Sequence, residues 1–272
     1  MAILKFIIYS NILVSSSSGI LAFACSYQLG NKHFYGIGWV VFFATLFIYN
    51  IQRIIRIKEP KIQKSERHIW IEKNQNLIIF FSMIGLISSI FIYFIVLKWG
   101  SDFWVLSFGA ILGLAYVLSP HPKLSALRDI PYIKIYIIGI QWSVAAVFWP
   151  YFRQSEAIEF PTLLLGSVFF YILTATIPFD IRDIVNDNKN KYTIPQIFGQ
   201  AGAKSIGIGF IIISAVCLLF YSHSINHLLF GLAFTGLIIL LILSHPKRHE
   251  MYYSGIIDGW IIFYAWTIYS IG

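Results

Sequence analysis

Residues 180–199 read DIRDIVNDNKNKYTIPQIFG, from Asp180 to Gly199, directly after a run that is almost wholly apolar from Phe160 to Phe179. The stretch holds three of the chain's 12 acidic residues. Asp180, Asp183 and Asp187 are spaced i, i+3 and i+7, so on a continuing helix their carboxylates share one face and can converge on one cation. Oxygen-only ligands favour Mg²⁺. Three aspartates at a helix C-terminus oppose the helix dipole, so reading them as a solvated end alone is costly. The apolar run before them places this ledge where a membrane helix meets water, which suits a substrate that is anionic at one end and lipid-tailed at the other.

Composition points the same way. The chain is 58% hydrophobic and 12% charged over 272 residues, far more apolar than a soluble domain of that length requires. Runs of about 20 apolar residues occur roughly nine times: 4–29, 34–57, 76–98, 101–118, 131–152, 160–181, 204–222, 225–244 and 250–271. The expected fold is therefore all-α, a polytopic membrane bundle of about nine transmembrane helices forming one domain over residues 1–272. A faint echo relates Leu118–Lys123 to Leu243–Arg248, four spans apart, as duplication of a four-helix unit would.

The net charge of +8 reflects topology rather than nucleic acid. With a cytoplasmic N-terminus, all but Lys32, Lys98 and Arg153 of the 20 lysines and arginines fall in inside loops and ends. That bias puts the N-terminus in the cytoplasm, the C-terminus outside and the Asp180 ledge facing the cytoplasm of a bacterial-type membrane. Cys25 and Cys217 sit in apolar runs and suggest neither a disulfide nor a thiolate site. Ser15 to Ser18 and Gly19 are small residues that let the first helix pack closely. A cleavable signal peptide at the Ala22 to Cys25 string is a poor match, because the apolar run is too long.

Beyond the ledge, Lys123 and Arg128 are flanked by Pro120, Pro122 and Pro131, a stiff loop able to hold cations over a phosphate, although plain positive-inside charge accounts for them equally well. Lys189 and Lys191 follow the aspartates, and such mixed acids and bases suit a metal diphosphate. Asp258 is the acid deepest inside an apolar run: a functional candidate, or a hydrogen-bonded pin for the last helix.

Asp180, Asp183, Asp187, Lys191, Thr193, Pro195 and Gly199 together resemble the second motif of the UbiA superfamily of intramembrane prenyltransferases. The resemblance covers most of the chain, and Tyr116, Pro122, Lys123 and Arg128 are similar to that family's fourth-span loop. It implies transfer of an isoprenoid chain from a polyprenyl diphosphate to an unidentified acceptor at a cytoplasm-facing site in membrane lipid. It further implies Mg²⁺ on Asp180, Asp183 and Asp187, with these and Lys191 as the catalytic set and no nucleic acid partner. Donor-binding candidates are Asn50, Arg53, Lys58, Tyr116, Lys123 and Arg128.

One departure stands out. The family's first motif, Asn-x-x-x-Asp-x-x-x-Asp, here keeps Asn50 but has Ile54 and Lys58 at the aspartate positions. Either Arg53, Arg56 or Lys58 binds diphosphate in place of a metal, or the chain keeps the fold as a prenyl-lipid-binding pseudoenzyme. Glu59 or Glu66 is a further source of a metal ligand if the loop folds back. A secondary transporter fits less well, because the polar residues collect at one end rather than at the midplane.

Overall fold

The computed structural model describes residues 2–58, 65–118, 126–154, 159–185 and 192–271, and the regular elements among them are all helical. Hydrocarbon offers the backbone no hydrogen bonds, so apolar segments of this length satisfy their own peptide groups as helices. In chain order these are α1 (Ala2–Tyr9), α2 (Ile12–Gln28), α3 (Phe34–Ile55), α4 (Glu66–Lys73), α5 (Gln75–Leu97), α6 (Phe103–Val117) and α7 (Lys134–Phe152). Then come α8 (Thr162–Asp183), α9 (Ile194–Tyr221), α10 (His227–Leu243) and α11, residues 250–269, which contains Asp258–Tyr269.

Each apolar run of the sequence holds a helix, and the first holds two, α1 and α2. Among the described residues five helices are long and apolar enough to cross a bilayer, or six if the bent pair α1–α2 is one span. That is fewer than the nine expected from apolar runs: α6 and α10 are shorter, and α11, which carries Glu250 and Asp258, is not among the five. Ile79, Phe80, Met83, Ile87, Ile90 and Phe91 expose an apolar face along α5, a surface suited to lipid rather than water. The chain is an integral membrane protein.

The expectation of a close-packed first helix is realised where α2 crosses α3. A Cβ on Gly19 would stand 2.8 Å from the Gly38 carbonyl oxygen, and one on Gly38 would stand 3.0 Å from that of Gly19. Because these contacts are to backbone, the overpacking cannot be relieved by a rotamer change. Gly38→Val is expected to cost about 1–3 kcal/mol, read as a lowered melting temperature of the detergent-purified protein. An unchanged melting temperature would mean that the two helices can separate.

Two breaks shape the end of the bundle that carries the site. The first apolar run is not one helix: α1 and α2 meet at 60°, with Asn11 in the left-handed region at φ 64°. Asparagine tolerates that conformation better than most residues, and its buried amide is held by the side chains of Asn50 and Arg67. Within α9, Gly199 adopts φ 70° and kinks the helix just beyond its start. Thr193 is the N-cap, its N–H bonded to Gln196 Oε1 at 3.0 Å, and Pro195 lies in the first turn. The Thr-x-Pro…Gly part of the second motif is thus the start signal and bend of α9.

Candidate functional site

The site is built where α8 ends. Asp180 is fully buried, and its Oδ1 lies 2.7 Å from Lys134 Nζ at the start of α7. One turn on, Asp183 is gripped by its neighbour: Arg182 Nε donates to Oδ1 at 2.7 Å and a terminal nitrogen to Oδ2 at 2.9 Å. Negative charge at a helix C-terminus opposes the dipole, so each carboxylate sits where a cation offsets that cost. Among the described residues no group of three acids, histidines or cysteines could hold a metal ion. Asp187 and Lys191 of the expected ledge, and Lys123 of the fourth-span loop, lie outside the described residues.

Arg182 also reaches α11, donating to both Glu250 oxygens at 3.1 and 3.3 Å. From the other side Arg67 of α4 approaches Glu250 at 3.5 Å, donates to Ser254 Oγ at 2.6 Å and bonds the Asn11 side-chain oxygen. Asn11 in turn donates to Asn50 Oδ1 at 2.7 Å, and Asn50 donates to the Ser10 carbonyl oxygen at 3.1 Å. Four helices, α3, α4, α8 and α11, and the junction of α1 with α2 are therefore tied by one buried polar network, which fixes the break at Asn11. Burial lowers the Arg67 pKa, opposed by the carboxylates of Glu250 and Asp258.

Arg53 lies one turn beyond Asn50 on α3, partly buried, near the guanidiniums of Arg67 and Arg182 and the acids Glu250 and Asp183. Among the described residues it forms no hydrogen bond or ion pair. Arg56 is engaged with Asp129, 2.7 Å away, so it braces the loop before α7. Arg128 stands 5.8 Å from the ring centre of buried Tyr116, bringing together two of the expected donor-binding residues. Lys58 closes the short 3₁₀ turn Arg56–Lys58 that follows α3.

Glu59 lies outside the described residues, and Glu66, a further source of a metal ligand by sequence, is engaged with the side chains of three other residues. Exposed at the start of α4, it bonds Lys5 and accepts from Tyr9 at 3.1 Å, with His249 Nε2 also 3.1 Å away. The Lys5 hydrogen bond, with Tyr9 behind it, holds its carboxyl below the usual range. A depressed carboxylate pKa contributes stability that is complete above the unfolded value and is lost as pH falls through the folded one. Docking of α4 is thus expected to hold at neutral pH and to loosen below about pH 4, by no more than about 1 kcal/mol for so exposed a pair. Hydrogen exchange of α4 amides checks this, and Glu66→Gln should abolish the pH response.

Beside this polar mouth lies an apolar cavity of about 380 Å³ between α3, α5, α6 and α7, lined among others by Val41, Tyr49, Tyr93, Leu106, Trp142 and Trp149. Tyr49, whose hydroxyl accepts from Trp142 Nε1 at 3.4 Å, marks its inner end next to Asn50 and one turn from Arg53. A charged mouth over an apolar slot can seat a molecule that is anionic at one end and hydrocarbon at the other.

The architecture matches solved structures along nearly its whole length. A UbiA homolog from Archaeoglobus fulgidus bound to GPP and Mg²⁺ superposes with a TM-score of 0.62 at 13% identity, over 97% of this chain and 100% of that one. This chain has the UbiA fold. The same comparison with the homolog bound to DMAPP and Mg²⁺ gives a TM-score of 0.58 at 13% identity, covering 97% and 99% of the two chains. No family model matches the sequence, and no curated protein matches it.

Within this UbiA fold the site contains residues that sequence reading passed over: Asn11, Arg67, Lys134, Arg182 and Glu250. A lone Asn inside a long apolar run was a readable signal for a break. Arg67 carried none, since it lay among other loop cations.

Proposed function

We propose that this chain binds a polyprenyl diphosphate, with its head at the α3–α8 mouth and its tail in the apolar cavity, and transfers the prenyl group to an acceptor. The observation that carries this reading is Arg53: a partly buried cation with no partner among the described residues, one turn along α3 from the tyrosine that closes the cavity. Such a cation suits charge-assisted hydrogen bonds to an incoming diphosphate. Arg128 and Tyr116 border the same mouth, and Lys58, Lys123 and Lys191 are proposed as further donor-binding cations. Asn50 acts at second hand, because its amide is spent on Asn11 and Ser10 and so positions Arg67.

The aspartates have the donor chemistry of a Mg²⁺ site, hard oxygens one turn apart, and Asp183 keeps 30% of its side chain accessible. Mg²⁺ would be held by Asp180, Asp183 and Asp187, and when bound it would supply positive charge against the diphosphate. Holding it requires Arg182 to release Asp183 towards Glu250, its other partner. During transfer the bond from prenyl carbon to diphosphate oxygen breaks, the acceptor bonds to that carbon, and the mouth's cations steady the departing pyrophosphate. The enclosing apolar walls keep water from the allylic centre.

In orientation, Lys32 and Arg153, two of the three cations expected outside, line one hollow with Asp102, and Arg153 also bonds the carbonyl oxygen of the third, Lys98, which supports a cytoplasmic mouth at the other end. A prenyl-lipid-binding protein without turnover is the second reading, favoured by the ion pairs already closed on Asp180 and Asp183. The test is geranyl diphosphate binding and pyrophosphate release in lipid nanodiscs with and without Mg²⁺. Wild type is expected to bind more tightly with Mg²⁺, and Asp183→Asn to lose that increment. Binding without release supports the second reading; no binding at all sinks both.

A further inference from the structure

The last helix carries polar side chains that the donor head does not use up. Glu250, Ser254 and Asp258 recur at four-residue intervals along α11, descending from the mouth into the bilayer. Glu250 and Ser254 are engaged with Arg182 and Arg67. The π-turn Tyr252–Ile257 ends directly before Asp258. Such a turn inserts an extra residue and re-aims the side chains beyond it, and it is found mostly where a site needs it. The Asp258 main chain is anchored, its carbonyl oxygen accepting from Ser17 Oγ of α2 at 2.7 Å.

The Asp258 carboxyl, by contrast, forms no hydrogen bond or ion pair among the described residues. Nor is it turned to lipid. Arg53 and Tyr49 of α3, Arg67 of α4, Arg182 of α8 and Glu250 of its own helix all lie within electrostatic reach of it. It nevertheless keeps partial accessibility, among neighbours that are the arginine network and Tyr49. A carboxyl at membrane depth is expensive to maintain, and one serving only to pin helices together would be hydrogen-bonded to its neighbour.

We propose that Asp258 is the acceptor's binding and proton-accepting group: it takes a hydrogen bond from the hydroxyl of an alcohol or phenol lodged beside Tyr49. An ionised carboxylate only accepts hydrogen bonds, so the site selects an O–H donor over an ether or ketone. The proton-transfer half rests on the proposed prenyl transfer, whereas the hydroxyl site does not. In that half the acceptor O–H bond breaks and its proton passes to Asp258. The oxygen's electron pair forms the new bond to the prenyl carbon, and pyrophosphate leaves with the electrons of the broken carbon–oxygen bond.

The test uses the full chain in nanodiscs with phenol and anisole, which differ by methylation of the hydroxyl. Dicyclohexylcarbodiimide, an apolar reagent for protonated carboxyls, is expected to modify Asp258 through whatever fraction is protonated, at a rate that falls as pH rises, seen by peptide mass spectrometry, and phenol, by holding the ionised form, is expected to protect it where anisole does not. With geranyl diphosphate, Asp258→Asn should cut phenol-dependent pyrophosphate release about 100-fold or more and remove its ionisation limb from the pH profile, with donor binding kept within about twofold. Asp258→Glu, which retains the carboxyl, should keep the preference for phenol and covers the case in which the Asn variant fails to fold. Absence of labelling even at a pH acidic enough to protonate the carboxyl, equal protection by phenol and anisole, or undiminished release by Asp258→Asn overturns the proposal. Labelling with phenol-selective protection, but no pyrophosphate release from wild type, upholds the hydroxyl site and removes the transfer reading alone.

Discussion

Arg182→Met is expected to lower the stability of the purified protein by about 3 kcal/mol, the lower end for breaking a buried ion pair from one side. Arg182 closes both of its termini on acids, Asp183 and Glu250, with only 16% of its side chain accessible. Its removal strands Asp183, which is 30% accessible and so partly rehydrates, while Glu250 retains Arg67 at 3.5 Å. Those two reliefs keep the loss from the upper end of the range. In thermal unfolding the drop should be on the order of 10 °C. Adding Asp183→Asn to Arg182→Met should recover part of it, because the stranded charge is gone. A loss below about 1 kcal/mol would show that the network is hydrated and carries little energy.

That network separates what the sequence made legible from what it hid. Apolar runs located the helices, because in hydrocarbon length and apolarity nearly determine structure. The second motif was legible too, since Thr193, Pro195 and Gly199 act through local rules of helix starts and left-handed glycine. Partnerships were not. Lys134 with Asp180 and Arg56 with Asp129 join residues 46 and 73 positions apart, and no local pattern marks either pair. The spacing of Asp180 and Asp183 suggested a shared ledge, whereas packing gave each its own cation. The break at Asn11 escaped for the opposite reason: a continuous apolar run outweighs one polar residue when its distant partners, Asn50 and Arg67, are unseen. Asp258 stood out because an acid at that depth has no bland explanation in hydropathy alone.

The missing first motif gives the sharpest test of the donor site. If Arg53 takes over the work of a metal, Arg53→Ala should weaken geranyl diphosphate binding by about 1.5–3 kcal/mol, the range of a hydrogen bond to a charged group. The substitution is unusually clean, because Arg53 bonds nothing among the described residues and lies near two like charges, Arg67 and Arg182. Its removal relieves repulsion, so the melting temperature should hold or rise while affinity falls. A merely structural arginine would move both downward. Restoring the family's acids tests the same point from the other side. Lys58→Asp alone should weaken binding, since Ile54 leaves no second carboxylate beside it, whereas Ile54→Asp with Lys58→Asp should partly recover it and only with Mg²⁺ present. If α3 ends instead in a solvated basic face, Arg53→Ala should change affinity by less than about 0.5 kcal/mol, and the double aspartate should gain nothing from Mg²⁺. Titrating donor binding for these variants across Mg²⁺ concentrations decides between them, and an unresponsive Arg53→Ala would sink the substitution of guanidinium for metal.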